Sequence, residues 1–272
     1  MADRERNAQG IREGFRLAAV WVVLALIFEL AAHHWVVHDP YYRVQSEQGL
    51  VSVHAFDIIV YLSTALLAFV VSFLGFSVVR FRRRAGQEPV SNVQYQRSPW
   101  FQRIWMVLKI AIVLGVFMNP DLTGMEKLWA YGLPPWNHGA VVVDVQARQW
   151  QWRFGYPQYG LPMDTKTNGR DVLVVPEGKP IKFVMTSLDV THSFYVPAWS
   201  VKMDIIPGET RTMYLTPTTT GSTASDPMLR VQCAQLCGAG HAYMSAFVKV
   251  VTPQQFRTWV AQQQQALTAS HT

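Results

Sequence analysis

The chain has 272 residues, half of them hydrophobic, and a formal net charge of +6. The apolar share is uneven: long apolar runs fill the stretch before residue 120, and an alternating, turn-rich pattern follows. That excludes a uniformly soluble globule and divides the chain near Asn119-Pro120 into an anchor over 1–119 and a second domain over 120–272. Much of the positive charge sits in the amino terminus and in Arg80-Phe-Arg82-Arg83-Arg84, beside apolar runs, so it reads as a topology signal and not as a nucleic-acid surface.

The first apolar run, Phe15 to Ala32, follows Arg4, Arg6, Arg12 and Arg16. It leaves two readings open, a cleaved signal segment or a retained helix near 15–34 anchored from the inside. Residues 57–79 form an apolar stretch long enough to cross a bilayer, which takes ~20 residues. The basic cluster directly after it marks the cytoplasmic side. Residues 101–118 make a shorter span that returns outwards, so everything after Asn119 is expected on the periplasmic side of a bacterial inner membrane. Glu29 and Lys109 lie within these runs, where an ionisable group is costly, but each is near enough to a span end to snorkel.

From Ala140 onward the pattern is that of an all-β sandwich. Val141–Arg148, Ile181–Thr186, Thr210–Leu215, Leu229–Gln232 and Ser245–Val251 are short β-branched and aromatic runs, separated by turns such as Pro176-Glu-Gly178 and Pro207-Gly208. Between the first two runs stands an aromatic stretch, Gln149-Trp150-Gln151-Trp152-Arg153-Phe154; a lone tryptophan there is ordinarily core or membrane belt. After the last strand, Thr252-Pro-Gln-Gln255 is a helix start, with Thr252 as N-cap, Pro253 at the first position and Gln255 closing a capping box. Phe256, Trp259 and Val260 at helical spacing pack that helix onto the domain, and the Gln-rich end beyond reads as a solvated tail.

The chemistry concentrates between the last two strands. Cys233-Ala-Gln-Leu-Cys237-Gly-Ala-Gly-His241-Ala-Tyr-Met244 gathers two thiols, an imidazole and a thioether into one short loop, with His192 well upstream. A cysteine pair alone is most often a disulfide in an oxidising compartment. Structural zinc usually takes four Cys or His ligands and has no use for Met244. Soft sulfur with imidazole selects copper or zinc over hard cations, and the thioether tips the choice to copper. The joint spacing, with Cys233, Cys237 and His241 four residues apart and Met244 three later, lets one tight loop wrap all four around a common centre.

This loop resembles the dinuclear copper A domain of subunit II of the haem–copper oxidases, the family of cytochrome c oxidase, whose motif is C-x-E-x-C-G-x-x-H-x-x-M. The family's D-V-x-H-S-[FW]-x-V-P segment is matched by Asp189–Pro197, and its K-x-D-x-x-P-G stretch by Lys202, Asp204, Pro207 and Gly208. The resemblance implies a membrane-anchored chain with a cupredoxin-like Greek-key sandwich. It implies that Cys233 and Cys237 bridge two copper ions, that His192 and Met244 complete one copper, and that His241 with the backbone carbonyl of Gln235 completes the other. It makes Trp150 the point where electrons arrive from cytochrome c, and places Lys202 and Asp204 at the junction with catalytic subunit I.

Several positions depart from the family pattern. Gln235 replaces a glutamate that helps hold magnesium, and a neutral amide is a weaker ligand for a hard cation, which counts against magnesium here. Gln151 stands between the tryptophans where the family has tyrosine. In the last span's E-x-x-W-T-x-x-P pattern, Gln102 and Lys109 take the places of glutamate and proline. From Asn119 to the end, twelve Lys and Arg face ten Asp and Glu, so the domain lacks the acidic excess that speeds encounter with a basic cytochrome c. A neutral or acidic cytochrome, or another small redox protein, docking by apolar contact fits better. No C-x-x-C-H haem attachment motif is present, which leaves haem and oxygen chemistry to a partner subunit.

The expected function is therefore the electron-accepting subunit of a terminal oxidase, working with subunit I and other oxidase subunits in lipid to reduce dioxygen with proton translocation. The alternatives are the corresponding subunit of a copper A-containing nitric oxide reductase, or a membrane-anchored copper-binding or delivery module. A quinol oxidase subunit is opposed by the intact ligand set.

Overall fold

The computed structural model describes residues 2–37, 43–80, 82, 99–118, 123–163 and 171–270. The boundary at Asn119-Pro120 and Phe81, Arg83 and Arg84 of the basic cluster lie outside the described residues. The chain divides into two compact units, one of Met1–Pro40 with Ala55–Leu122 and one of Tyr41–His54 with Thr123–Thr272.

Three long helices, α1 (Ala2–Ala32), α2 (Glu47–Arg80) and α3 (Pro99–Val116), account for the apolar runs. The stretches Gly10–Val36, Glu47–Arg80 and Pro99–Val116 are each long and apolar enough to cross a membrane. The second begins ten residues before the expected 57–79, because Glu47–Phe56 continues the same helix without a breaker strong enough to stop it. Polar contacts join α1 to α2 along the first unit. Glu13 accepts from Arg80 at 3.1 Å, Trp21 Nε1 donates to the Ala65 carbonyl at 3.2 Å, and His33 Nδ1 lies 2.8 Å from the Tyr61 hydroxyl. Glu29 keeps Oε2 buried with no partner among the described residues, and the Lys109 ammonium lies 5.7 Å from the centre of the Trp105 ring.

The second unit is a mixed β-sandwich preceded by a short helix, α4 (Thr123–Ala130). Its strands are β1 (Val141–Arg148), β2 (Gln151–Gly155), β3 (Val172–Pro176), β4 (Ile181–Ser187), β5 (His192–Val196), β6 (Val201–Ile205), β7 (Arg211–Leu215), β8 (Gly221–Ser222), β9 (Arg230–Cys233) and β10 (Ser245–Val251). One sheet runs β2-β1-β4-β7 and the other β3-β10-β9-β5-β6, with β8 on β10. β1 pairs parallel with β4, and β3 parallel with β10, while the other pairings are antiparallel.

Period-two alternation sets the core. Val141, Val143, Val145 and Ala147 of β1 turn inward, as do Ile181, Phe183 and Met185 of β4 and Ala246, Val248 and Val250 of β10. Phe183 anchors the middle, its ring 5.1 Å from Phe194 and 6.1 Å from Trp199. The segment before α2 and the first turn of that helix are sewn to the sandwich by backbone bonds: Gln45 N donates to the Ala198 carbonyl at 2.7 Å and Glu47 N to the Thr216 carbonyl at 3.1 Å. Gly49 is required there, since a Cβ would overlap the Trp199 carbonyl oxygen.

The terminal helix α5 (Pro253–Ser270) starts as expected. Gln255 N donates to Thr252 Oγ1 at 3.3 Å and Thr252 N to Gln255 Oε1 at 3.0 Å, a reciprocal capping box. Phe256 and Val260 are buried and Trp259 packs on the core. The Gln-rich end is largely exposed, as expected of a solvated segment, and it continues α5, with Gln264 donating to the Tyr159 carbonyl at 2.8 Å and Leu267 packing against the core.

Candidate metal centre

The sheet order brings the sulfur loop and His192 together. β9 and β5 are neighbours with Phe194 opposite Cys233, so the start of β5 and the end of β9 meet at one edge of the sandwich. The chain leaves β9 at Cys233 and returns in β10 at Ser245. It is pinned on the way by Ala234 N donating to the Ser193 carbonyl at 3.0 Å and Cys233 N to Met244 at 3.1 Å. A short 3-10 turn, His241–Tyr243, brings the imidazole and the thioether back under the cysteines.

The donor atoms converge. Cys233 Sγ lies 3.7 Å from Cys237 Sγ and 3.8 Å from His192 Nδ1, and 3.1 Å from the Gln235 carbonyl oxygen. Cys237 Sγ lies 3.6 Å from His241 Nδ1 and 3.7 Å from Met244 Sδ. The nearest donor atoms of His192, Cys233 and Cys237 all fall within 4.8 Å of one another. The sulfur separation is well beyond the ~2.05 Å of a disulfide, and both cysteines are free. His192, Cys233, Cys237 and Met244 are buried, His241 is partly so, and the Gln235 side chain is exposed.

The fit to soft metal is chemical as well as spatial. Two thiols at the middle, with one imidazole and one further donor beyond each, form a set that copper prefers and hard cations do not. Without metal, burial and then the neighbouring Cys233 push the Cys237 thiol up to about 11, so a bound metal must displace its proton.

Three groups missed by sequence reasoning prepare the site. Asp189 Oδ1 lies 2.8 Å from His192 Nε2, an arrangement that commits Nε2 to the carboxylate and leaves Nδ1 facing Cys233. Burial opposes the Asp189 charge, but bonds from the Gln149 backbone N–H, His192 and the Val190 N–H together hold its pKa below the ordinary value. Asp189 stood in the quoted D-V-x-H segment, and its spacing of three from His192 was the available signal. Gln149 donates from Nε2 to the Cys237 carbonyl at 2.8 Å. Trp152 underlies the site, its ring 6.3 Å from His192 and 5.7 Å from Phe194, with Nε1 3.4 Å from the Met244 carbonyl.

Trp150 sits against the loop with its face partly in solvent, 44% exposed. Its Nε1 donates to the Cys237 carbonyl at 3.3 Å, and the ring covers Gly240 so closely that a Cβ there would overlap the indole. Leu188, Val190, Leu236 and Tyr243 are exposed apolar or aromatic side chains of the same edge. Lys202 and Asp204 lie apart from the donor set, exposed on β6 opposite Tyr195 and Ser193.

Residues 141–251 match the family described as cytochrome C oxidase subunit II, periplasmic domain. The chain is 29% identical over 224 residues to the alternative cytochrome c oxidase subunit 2 of Bradyrhizobium diazoefficiens, covering 71% of this chain and 73% of that protein. It is 28% identical over 301 residues to the cytochrome c oxidase subunit 2 of Thermostichus vulcanus, covering 93% and 88%. Among solved structures, the periplasmic domain of subunit II of cytochrome oxidase from Bradyrhizobium japonicum matches with 29% identity and a TM-score of 0.39, over 46% of this chain and 94% of that one.

Proposed function

We propose, from the premise that this chain belongs to the cytochrome c oxidase subunit II family, that it is the electron-accepting subunit of a terminal haem–copper oxidase. It takes electrons from cytochrome c or another small redox protein and passes them to haem in subunit I, where dioxygen is reduced with proton translocation. The observation that carries this reading is the convergence of two thiols, two imidazole Nδ1 atoms and a thioether at 3.6 to 3.8 Å spacings. A bound copper pair would share one electron over both metals through the bridging thiolates.

The chain's own residues do the rest. Cys233 and Cys237 supply the shared thiolates, His192 and Met244 the donors on one side, and His241 with the Gln235 carbonyl those on the other. Asp189 fixes the His192 tautomer, so that Nδ1 is presented before metal arrives and little rearrangement accompanies loading. Burial of both sulfurs and packing of Trp152 beneath them keep water out. Trp150 offers a polarisable ring between solvent and the Cys237 backbone, which suits it as the point of electron arrival. The exposed apolar side chains around it favour a donor that docks by contact more than by charge.

The helices α1, α2 and α3 are the proposed anchor in the bacterial inner membrane, with residues 120–272 on the periplasmic side. Pairing of Glu13 with Arg80 and of His33 with Tyr61 supports α1 as a working part of that anchor. The test is donor oxidation by the purified complex. Trp150→Phe should slow it while copper content stays intact, and raising salt should change donor association only mildly. Unchanged oxidation would remove Trp150 from the path, and a steep loss with salt would contradict contact docking.

A further inference from the structure

As a membrane span, α3 has no length to spare. Its 18 residues rise about 27 Å, just short of the ~30 Å hydrocarbon core of a bilayer, so its two ends reach the two interfaces and Lys109 lies near mid-depth. The expected snorkelling to a span end does not occur. Helical side chains lean toward the N-terminal turn, and the Lys109 ammonium lies over Trp105, one turn back, 5.7 Å from the ring centre. That points it away from the nearer end, Val116, and leaves about 9 Å of helix between Trp105 and Pro99. Lipid phosphates are out of its reach, and one ring face offsets only part of the cost of a cation in hydrocarbon.

The rest of the helix shows which way this group faces. Gln102 precedes Lys109 by two turns, so the two share one stripe, with Trp105 between them, while Val107, Ala111 and Leu114 line the opposite side. A span that gathers an amide and an ammonium on one stripe turns that stripe to protein and its apolar remainder to lipid. α3 carries no acidic residue and buries none of its own residues, and its nearest charge, Arg103, is also a cation. No carboxylate among the described residues pairs with Lys109. A counter-charge at mid-depth has to come from a chain that itself spans the membrane; a water-soluble electron donor does not reach there.

We infer that Lys109 is received inside the membrane by a carboxylate on a helix of the catalytic subunit, against which the Gln102–Trp105–Lys109 stripe packs. The inference rests on the oxidase-subunit reading, which supplies the membrane-embedded neighbour, and adds the charge pair that joins the two. Gln102 and Lys109 stand where the family pattern has glutamate and proline, so the pair belongs to this chain and not to the pattern.

The test uses the full chain, tagged and immobilised in detergent with the haem-containing chain it holds, and follows haem loss during washing. Lys109→Met removes the charge and keeps the length, and the haem chain should then leave at least about tenfold faster. Lys109→Arg should stay near the wild-type rate, Val107→Met on the opposite side should change nothing, and copper content should be unaltered in all three. An apolar carbodiimide, which activates carboxyl groups within the membrane and lets an adjacent amine close an amide, should join Lys109 to an acidic residue of the haem chain. Release at the wild-type rate in Lys109→Met overturns the inference. A cross-link from Lys109 to a second copy of this chain overturns it also, as does equally quickened release in Val107→Met, which would make the effect one of helix packing. A wild-type chain that holds no haem partner overturns the oxidase reading itself, an outcome distinct from these.

Discussion

Phe183 in β4 and Leu114 in α3 are both large apolar residues in regular elements, and their surroundings are opposite. Phe183 is fully buried among Phe194 and Trp199, whereas Leu114 is 54% exposed and α3 buries no residue. The sandwich uses its apolar side chains against one another, where removal from water stabilises by roughly 25 cal/mol per Å². The spans display theirs to a second apolar medium. The same residue types thus encode a core in one unit and a lipid-facing surface in the other, and the difference is carried by pattern: period two in β4, continuous apolarity in α3.

The largest expected effect follows from that contrast. Phe183→Ala should destabilise the sandwich by about 3–5 kcal/mol, a large part of a typical 5–15 kcal/mol total, whereas Leu114→Ala should leave its unfolding midpoint in detergent unchanged. Near-ultraviolet circular dichroism on heating the full chain measures both. Equal losses would erase the contrast.

A second comparison lies within the site, between groups that touch metal and groups that aim them. Asp189→Asn keeps the shape of the side chain but weakens its hold on His192 Nε2–H. Copper affinity should fall roughly 10–100-fold, by competition with a chelator, while the unfolding midpoint of the metal-free domain barely moves. A matched drop in both would make Asp189 a packing residue.

Much of this was legible in sequence for a physical reason. β1 and β10 alternate cleanly because one face is core and the other is exposed or only partly buried, and the loop between β9 and β10 carries its donors at fixed spacing. β2, β3, β5 and β6 were less readable. β3 is buried at every position, Val172 to Pro176, so it has no alternation to detect, and β2 was masked by the aromatic stretch from Trp150 to Phe154 that it shares. Long-range partners such as Asp189, Gln149 and Trp152 became visible only once β2 and the turn before it, in one sheet, met the ends of β5 and β9 in the other. The Gln-rich end of α5 is as solvated as its composition says; its helical form was the unread part, and a bond from Gln264 and packing of Leu267 tie it to the domain.

The smallest expected effect is at the start of α5, where the reciprocal cap was legible. Thr252→Ala removes one of its two bonds and should lower stability by about 1 kcal/mol, seen as a modest shift in the denaturant midpoint with copper content unchanged. A shift as large as that of Phe183→Ala would mean that α5 docking, and not the cap, was lost.

Cys233 and Cys237 are proposed to be shared by a copper pair. Metal analysis and electron paramagnetic resonance of the purified full chain test it together. Two coppers per chain are expected, with a signal delocalised over both that is lost in Cys233→Ser and in Cys237→Ser. One metal per chain, a bond between the two sulfurs, or an unaltered signal in either variant would contradict it.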